Sequence, residues 1–520
     1  MPQAASENAR LQEALEQARA KIAALEQENK LLREKVELLI KKIFGVKSEK
    51  LSAAELQMML AGLVEEPPKK TPAPGNDCGA LEAEIQKKPL PRKASTQSAG
   101  REARVPQNLP AIEQIIDPEE VKAEPEQWRQ IGEEVTEQLD YEPGRFLRRR
   151  LIRRKFVKRE APHAAPVIAE LNTLQERSIA GPGLLAQICV SKYCDHLPLY
   201  RLEQMFATRH GIDLPRQTMA RWMGLAADWL RPIYDQIRVT IFDSGYVQID
   251  ETPVKYLSPG HGQTKQGYLW ACQQPGGDVW YRWELSRGAP CLERIVPESF
   301  TGTLQCDGYR AYGAFAKTRP GSIALAGCLA HARRYFVDAK DGAAAQQACW
   351  ILLQIQHLYR IEERLRKQRA GPRLREAVRS SEARPIMERL HKVFNKLKET
   401  GRYLPKSAMG QAIAYALAEW SKVGLYLGDG RLEIDNNLVE NAIRPTALGK
   451  KNWLFIGDAE AGERSAIIYT VIESCRRRGM DPYAYLRDVF TRLPGMTNHQ
   501  IPEIMPVAWA KTQAPQRKAA

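Results

Sequence analysis

Apolar positions recur every seven residues near the start of the chain. Leu11, Ala18, Leu25, Leu32 and Leu39 form one series; Leu15, Ile22, Asn29, Val36 and Ile43 form a second. Two such series side by side are the seam of a coiled coil. Charged residues flank the seam on both sides. The pattern therefore predicts a coil over residues 8–45 that pairs two copies of the chain through Leu11, Leu15, Ile22, Leu25, Asn29, Leu32, Val36 and Leu39. Asn29 is the one polar residue on the seam, and a buried Asn at such a position favours a parallel two-stranded coil in fixed register. A single amphipathic helix packed on its own chain is the competing reading.

The period then stops. Residues 46–125 are rich in Pro, Lys, Arg and Ser and read as a linker, with a basic tract from Lys87 to Arg104. Residues 126–175 hold a small basic β unit. Nine Lys or Arg fall between Arg145 and Arg159 with no acid among them. Arg145, Arg148, Arg149, Arg150, Arg153, Arg154 and Lys155 are candidates for a nucleic-acid backbone; a charged edge strand that deters aggregation is the alternative. Residues 176–240 are helical. "PLYRLEQMFATRHG" predicts a helix closed by Gly211, and Pro215 opens a second helix. Helix, short turn, helix is the outline of a helix-turn-helix, in which Arg216, Gln217 and Arg221 would face base edges or phosphates.

From residue 241 the periodicity changes to that of strands. "YVQIDETPVKYL", "GYLWACQQ" and "VWYRWELSR" read as three consecutive strands. A helical stretch follows, then "GTLQCDGYRAYGAF", another apolar run ending in an acid, then a strand passing into a helix. This order predicts an RNase H-like sheet over residues 241–340. Two of its strands each deliver an aspartate, Asp250 and Asp307. Two carboxylates held together repel unless a cation sits between them, and hard oxygen donors suit Mg²⁺ or Mn²⁺. A two-metal site needs a third acid. The candidate is Glu440 in "EIDNNLVENAIRP": Asn436, Glu440 and Arg444 share one helix face, beside an apolar stripe of Leu438, Val439, Ala442 and Ile443. Asp435 and Glu433 are rivals, and Asp435 or Asn436 is expected to cap the helix. Glu251 follows Asp250 directly, so on a strand it faces the other way and is not expected to be a ligand. Residues 341–430 show helical spacing and read as an all-α insertion, 431–495 as the second part of the catalytic domain, and 496–520 as a tail.

Composition adds a partner. The net charge of +15 on 520 residues favours a polyanion. The nine cysteines are scattered and form no CxxC pair, which fits free thiols in a reducing cytosol. No apolar run is long enough for a membrane span, and the polar N-terminus does not read as a signal. A cytoplasmic, nucleoid-associated protein is expected.

The motif blocks narrow this further. "FGVKSEKL", "IGEEVTEQLDYEPGRF", "VQIDETPVKY", "LQCDGYRAYG", "GCLAHARRYF", "DNNLVENAIRP", "LGKKNWLFIG" and "DPYAYLRDVFTRLP" occur in this order between about residues 44 and 494. Together they closely resemble transposases of the insertion-sequence 66 family, of the DDE class. The resemblance implies Asp250, Asp307 and Glu440 as metal-binding acids for two Mg²⁺ or Mn²⁺ ions. It also implies double-stranded DNA as partner, both transposon ends and target, and a homodimer or higher oligomer, with accessory proteins of the same element. Arg444 and Lys450 would contact phosphate. Family members often carry paired cysteines around the "IGEEVTEQLDY" block; this chain has none there, so zinc is not expected. Cys328 and His331 form a CxxH step also seen in other DDE enzymes, but two ligands do not make a zinc site. The competing functions are a DNA-binding regulator with vestigial acids and an RNase H-like nuclease on RNA/DNA hybrids.

Overall fold

The computed structural model describes residues 109–517, apart from 143, 161–162, 177, 259–262 and 341–343, together with residues 16, 19 and 21. The seam of the predicted coil, all of the coil but residues 16, 19 and 21, and most of the linker lie outside the described residues. The chain divides into two compact units. The larger comprises 101–334, 351–393 and 415–520; the described part of the smaller includes 335–350 and 394–414. In the smaller unit the buried rings of Phe336 and Phe394 stack at 5.3 Å.

The larger unit opens with a mixed sheet. Strands β1 (Ala111–Ile116), β2 (Trp128–Glu142) and β3 (Arg145–Lys158) lie in the order β1-β3-β2, and β4 (Val167–Ile168) also pairs with β3. Strand β1 falls in the stretch read as linker. It runs parallel to β3, so no hairpin signal in the sequence announces it. Three helices follow: α1 (Pro182–Tyr193), α2 (Leu199–His210) and α3 (Arg216–Phe242). Gly211 ends α2 at φ 67°, a backbone conformation that glycine adopts without cost. The predicted helix–turn–helix outline is therefore present between residues 199 and 242.

A second mixed sheet forms the centre. Strands β5 (Tyr246–Leu257), β6 (Thr264–Gln273), β7 (Val279–Glu284), β8 (Gly302–Gln305) and β9 (Ile323–Ala326) lie in the order β7-β6-β5-β8-β9. The β5–β6 and β6–β7 pairs are antiparallel, while β5–β8 and β8–β9 are parallel. Helices α4 (Ala289–Ile295) and α5 (Arg310–Thr318) make the crossovers, and α6 (Leu329–Asp338) follows β9. The segment from 345 to 424 is helical: α7 (Ala345–Lys367), α8 (Pro372–Val378), α9 (Arg384–Glu399) and α10 (Ala408–Gly424). Then α11 (Asn437–Trp453) and α12 (Ala459–Arg477) return to the sheet, and α13 (Pro482–Arg492) follows. One apolar core runs from Leu139 through Trp270, Trp280 and Tyr469 to Trp509. On α11, Val439, Ala442 and Ile443 are buried as the stripe predicts, but Leu438 is 41% exposed and lies off the stripe.

Beneath the ends of β5 and β8 sits a closed polar network. Gln248, Gln273 and Gln305 are all buried. Gln273 donates to Gln248 Oε1 at 2.9 Å, and Gln248 donates to Gln305 Oε1 at 2.8 Å. Gln248 also donates to the carbonyl of Asp435, and Gln305 to those of Glu433 and Gly327. Tyr246 Oη donates to Gln305 Oε1 and accepts from the Glu433 amide. Buried amides are tolerated because their partners are present. Gln305→Leu strips partners from two buried carbonyls, a hydroxyl and an amide. We expect a loss of about 2–4 kcal/mol, read as a lower urea midpoint at unchanged slope; an unaltered midpoint would show that the ladder is dispensable.

Candidate active site

The register of β5 against β8 places the two aspartates. Gln248 pairs with Gln305 on the last rung of the parallel ladder. Asp250 and Asp307 each lie two residues beyond it, where the strands cease to pair. Residues two apart on a strand share a face, so Asp250 emerges on the side of Gln248. Asp307 Oδ1 accepts from the Tyr309 amide at 2.9 Å, which fixes that carboxylate at the start of α5.

Glu440 reaches the same region from the first turn of α11. The segment before that helix is held by the glutamines, by the Leu329 amide on the carbonyl of Ile434, and by the Asn436 amide on Cys328 Sγ at 3.4 Å. Asn436 occupies the N-cap position, yet its side chain makes no capping bond. Asp435 supplies the local bond instead, accepting from the Asn437 amide at 3.1 Å. Of the rival acids, Glu433 is engaged by Arg366 at 3.0 Å and Arg375 at 2.9 Å. Asp435 accepts from Tyr359 Oη at 2.7 Å. Glu440 Oε1 is buried without a hydrogen-bond partner, and His331 Nδ1 lies 3.7 Å from it.

The acids act on one another. Burial first, and then the charges of Glu251, Asp307 and Glu440, push Asp250 up to about 8. Burial also pushes Glu251 up to about 7; the Tyr312 hydroxyl and Arg287 oppose this and Asp307 adds to it. Glu251 accepts from Tyr312 Oη at 2.7 Å. It thus stands within electrostatic reach of both Asp307 and Asp250, although strand alternation gives it the opposite face from Asp250. Tyr312 went unnoticed in the sequence; its only trace is the three-residue spacing from Tyr309 on the helix after Asp307.

The candidate DNA residues fall into two groups. On β3 most of the charges are paired, where the basic run by itself suggests an unbalanced patch. Arg145 pairs with Glu142, Arg150 with Glu113 and Glu137, Arg153 and Lys155 with Glu134, and Arg154 with Asp117. Arg148 lies 3.9 Å from Glu137, and Arg149 donates to Gln114 at 2.6 Å. The acids come from β2, from Glu113 on β1 and from Asp117 just after it; apart from Glu142, three residues before Arg145, they lie across the ladder rather than along the chain. By contrast Arg216, Gln217 and Arg221 are exposed at the start of α3. Arg444 is exposed one turn beyond Glu440, and Lys450 Nζ lies 3.4 Å from Thr252 Oγ1 and 3.3 Å from the carbonyl of Pro253, next to the β5 acids. Among the described residues no helix is long and apolar enough to cross a membrane.

The molecule is thus a multidomain α/β protein with a carboxylate cluster at the ends of its central strands. Comparison with known proteins gives the class its family. The description "Transposase IS66 family" matches residues 177–464, "IS66 C-terminal element" matches 470–507, and "Transposase C of IS166 homeodomain" matches 31–113. Among curated proteins, the uncharacterized protein y4jD of Sinorhizobium fredii is 35% identical over 429 residues, covering 79% of this chain and 83% of that protein. The uncharacterized protein y4qI of the same organism is 36% identical over 415 residues, covering 77% and 76%. The chain belongs to the IS66 transposase family, and its function is tied to the transposition of an insertion sequence.

The pH dependence of stability follows from Asp250. An unfolded aspartate ionises near about 3.9. The folded group, held up to about 8, stays protonated through that interval. The unfolded state therefore gains from ionisation as pH rises from about 4 to about 8, and folding stability falls across that window. In chelator, Asp250→Asn should melt higher than the natural chain at pH 8, with the gap shrinking towards pH 5. A gap independent of pH would contradict the assignment.

Proposed function

We propose that the chain is a DDE transposase that cuts and joins DNA at the ends of its insertion sequence through an RNase H-like domain. The strand order, with three antiparallel strands flanked by two parallel ones, supports that fold reading. The observation that carries the proposal is the convergence of acids. The Gln248–Gln305 register brings Asp250 and Asp307 to one edge, and the charge of Glu440 acts on Asp250 from α11. The donor set fits hard divalent ions: the groups are carboxylates, they repel one another, and one oxygen of Glu440 has no hydrogen-bond partner.

Asp250, Asp307 and Glu440 would hold a pair of Mg²⁺ or Mn²⁺ ions, which when bound supply an activated water and stabilise the departing 3′ oxygen. The protein's own part is positional. The glutamine ladder and the start of α11 fix three carboxylates against their mutual repulsion. Lys450, beside Thr252, and exposed Arg444 offer cations along the phosphate path. The freed 3′-hydroxyl then serves as nucleophile towards target DNA, so no Ser or Tyr nucleophile is needed. The heptad seam at residues 8–45 would pair two chains and so bring two ends together.

Asp250→Asn, Asp307→Asn and Glu440→Gln should each lower end cleavage by more than about a hundredfold, beyond the 10–100-fold typical of outer-sphere partners. Gel-shift affinity for the ends should be retained. Unchanged cleavage would overturn the assignment of these acids; binding without any cleavage by the natural chain would return it to the regulator reading, and cleavage confined to RNA/DNA hybrids to the nuclease reading.

The ion pairs on β3 give a second test. Arg216→Ala with Arg221→Ala should weaken end binding and reduce the slope of log affinity against log salt by about two, one per lost phosphate contact. Arg154→Ala, which removes a charge already neutralised by Asp117, should leave that slope unchanged. Equal effects from both would show that the sheet, too, lies on DNA.

A further inference from the structure

Cys328 Sγ, a His331 ring nitrogen and a Glu440 carboxylate oxygen all lie within 4.8 Å of one another. A tetrahedral zinc site places its ligand atoms about 3.3–3.8 Å apart, from bond lengths of about 2.0–2.3 Å. The His331–Glu440 separation, 3.7 Å, already falls in that range. From the sequence alone the CxxH step had two donors, too few for a site. The fold supplies the third from α11.

Independent observations point to a ligand here. His331 Nδ1 and Glu440 Oε1 are both buried without a hydrogen-bond partner. Beside them, Asn436 is fully buried, and both its Oδ1 and Nδ2 lack partners, while its backbone amide donates to Cys328 Sγ. Buried polar atoms in native proteins are almost always satisfied, and unpartnered atoms on His331, on Glu440 and on the residue whose amide binds Cys328 call for an occupant. The amide donor to the sulfur is also what an outer partner of a ligating thiolate provides.

We infer that Cys328, His331 and Glu440 form a binding site for one borderline-soft divalent cation of the zinc class, distinct from the all-oxygen set of Asp250 and Asp307. A thiol and an imidazole select against Mg²⁺ and for Zn²⁺ or Co²⁺. Three protein ligands leave a fourth position open, and binding releases the Cys328 proton to solvent. Because Glu440 belongs to both donor sets, an ion held here withdraws it from the hard-metal pair. That consequence rests on the catalytic proposal; the binding itself does not.

Cobalt titration of the full chain tests the site without reference to activity. One equivalent of Co²⁺ should produce a thiolate-to-cobalt charge-transfer band and the strong visible bands of tetrahedral coordination. Cys328→Ser should abolish the charge-transfer band. His331→Ala, on a helix face that is partly exposed, should weaken Co²⁺ binding by about tenfold or more while keeping a thiolate band. Should Cys328→Ser fail to fold by circular dichroism, His331→Ala decides alone. Absence of a thiolate band in the natural chain would overturn the proposal. So would a band unchanged in Cys328→Ser, which would assign the metal to another thiol such as Cys194 or Cys349, or unaltered affinity in His331→Ala. In that case His331 merely orients Glu440. The cleavage assay on Asp250→Asn reports on the catalytic proposal separately, so either can fail alone.

Discussion

Three buried side-chain amides hold the carboxylates where they are. Gln248 and Gln305 pair across the parallel strands, and each stands two residues before an aspartate. The same two amides grip the carbonyls of Asp435 and Glu433, and through them the start of the helix that carries Glu440. One network therefore fixes the origin of all three acidic side chains. Apolar packing could not do this alone, because it is non-directional and tolerates sliding. Hydrogen bonds with defined donors and acceptors set a register, and a buried network that is fully satisfied specifies one arrangement.

A second device secures the returning segment from the other side. Arg379 is fully buried in a π-helical turn between α8 and α9. It makes two bonds to buried Glu362, at 2.7 and 2.8 Å. Its remaining donors serve the carbonyls of Tyr426, Asp429 and Leu432. Arg375 joins Glu362 to Glu433. A buried ion pair adds little net stability, since desolvation offsets the attraction. Its effect is geometric. It dictates the route by which the chain leaves its long helical stretch and re-enters the sheet at residues 432–436. Glu433, a plausible third acid by sequence, is consumed in this task.

How much of this could be read from the residues depends on the range of the interaction. Apolar runs ending in Asp250 and Asp307 are local, and so is the amphipathic spacing around Glu440; each element lies where its pattern puts it. What sequence leaves open is partnership at a distance. The arginines of β3 look unbalanced because their acids sit on β2 and beside β1, opposite them in the sheet. Glu433 and Asp435 look available because Arg375 and Tyr359 come from far along the chain. The CxxH step looks incomplete for the same reason, its third donor arriving on α11. Strand β1 went unread because a parallel partner needs no turn residues to declare it.

The resulting cluster is held in an electrostatically uphill state. Burial and three neighbouring carboxylates keep Asp250 protonated near neutral pH, and Glu251 is raised beside it. These acids are half-buried on a backbone that the ladder and the Arg379 clamp hold on both sides, so movement of the chain does not relieve the repulsion. Stability elsewhere in the core offsets the local cost, as is common where function demands an unfavourable arrangement. On the proposed function, proton and divalent cation would compete for the same oxygens, each relieving the repulsion that the fold maintains. On the same proposal, rigidity rather than any single carboxylate would make the site a cation receptor, since a flexible cluster would lose its affinity by spreading apart.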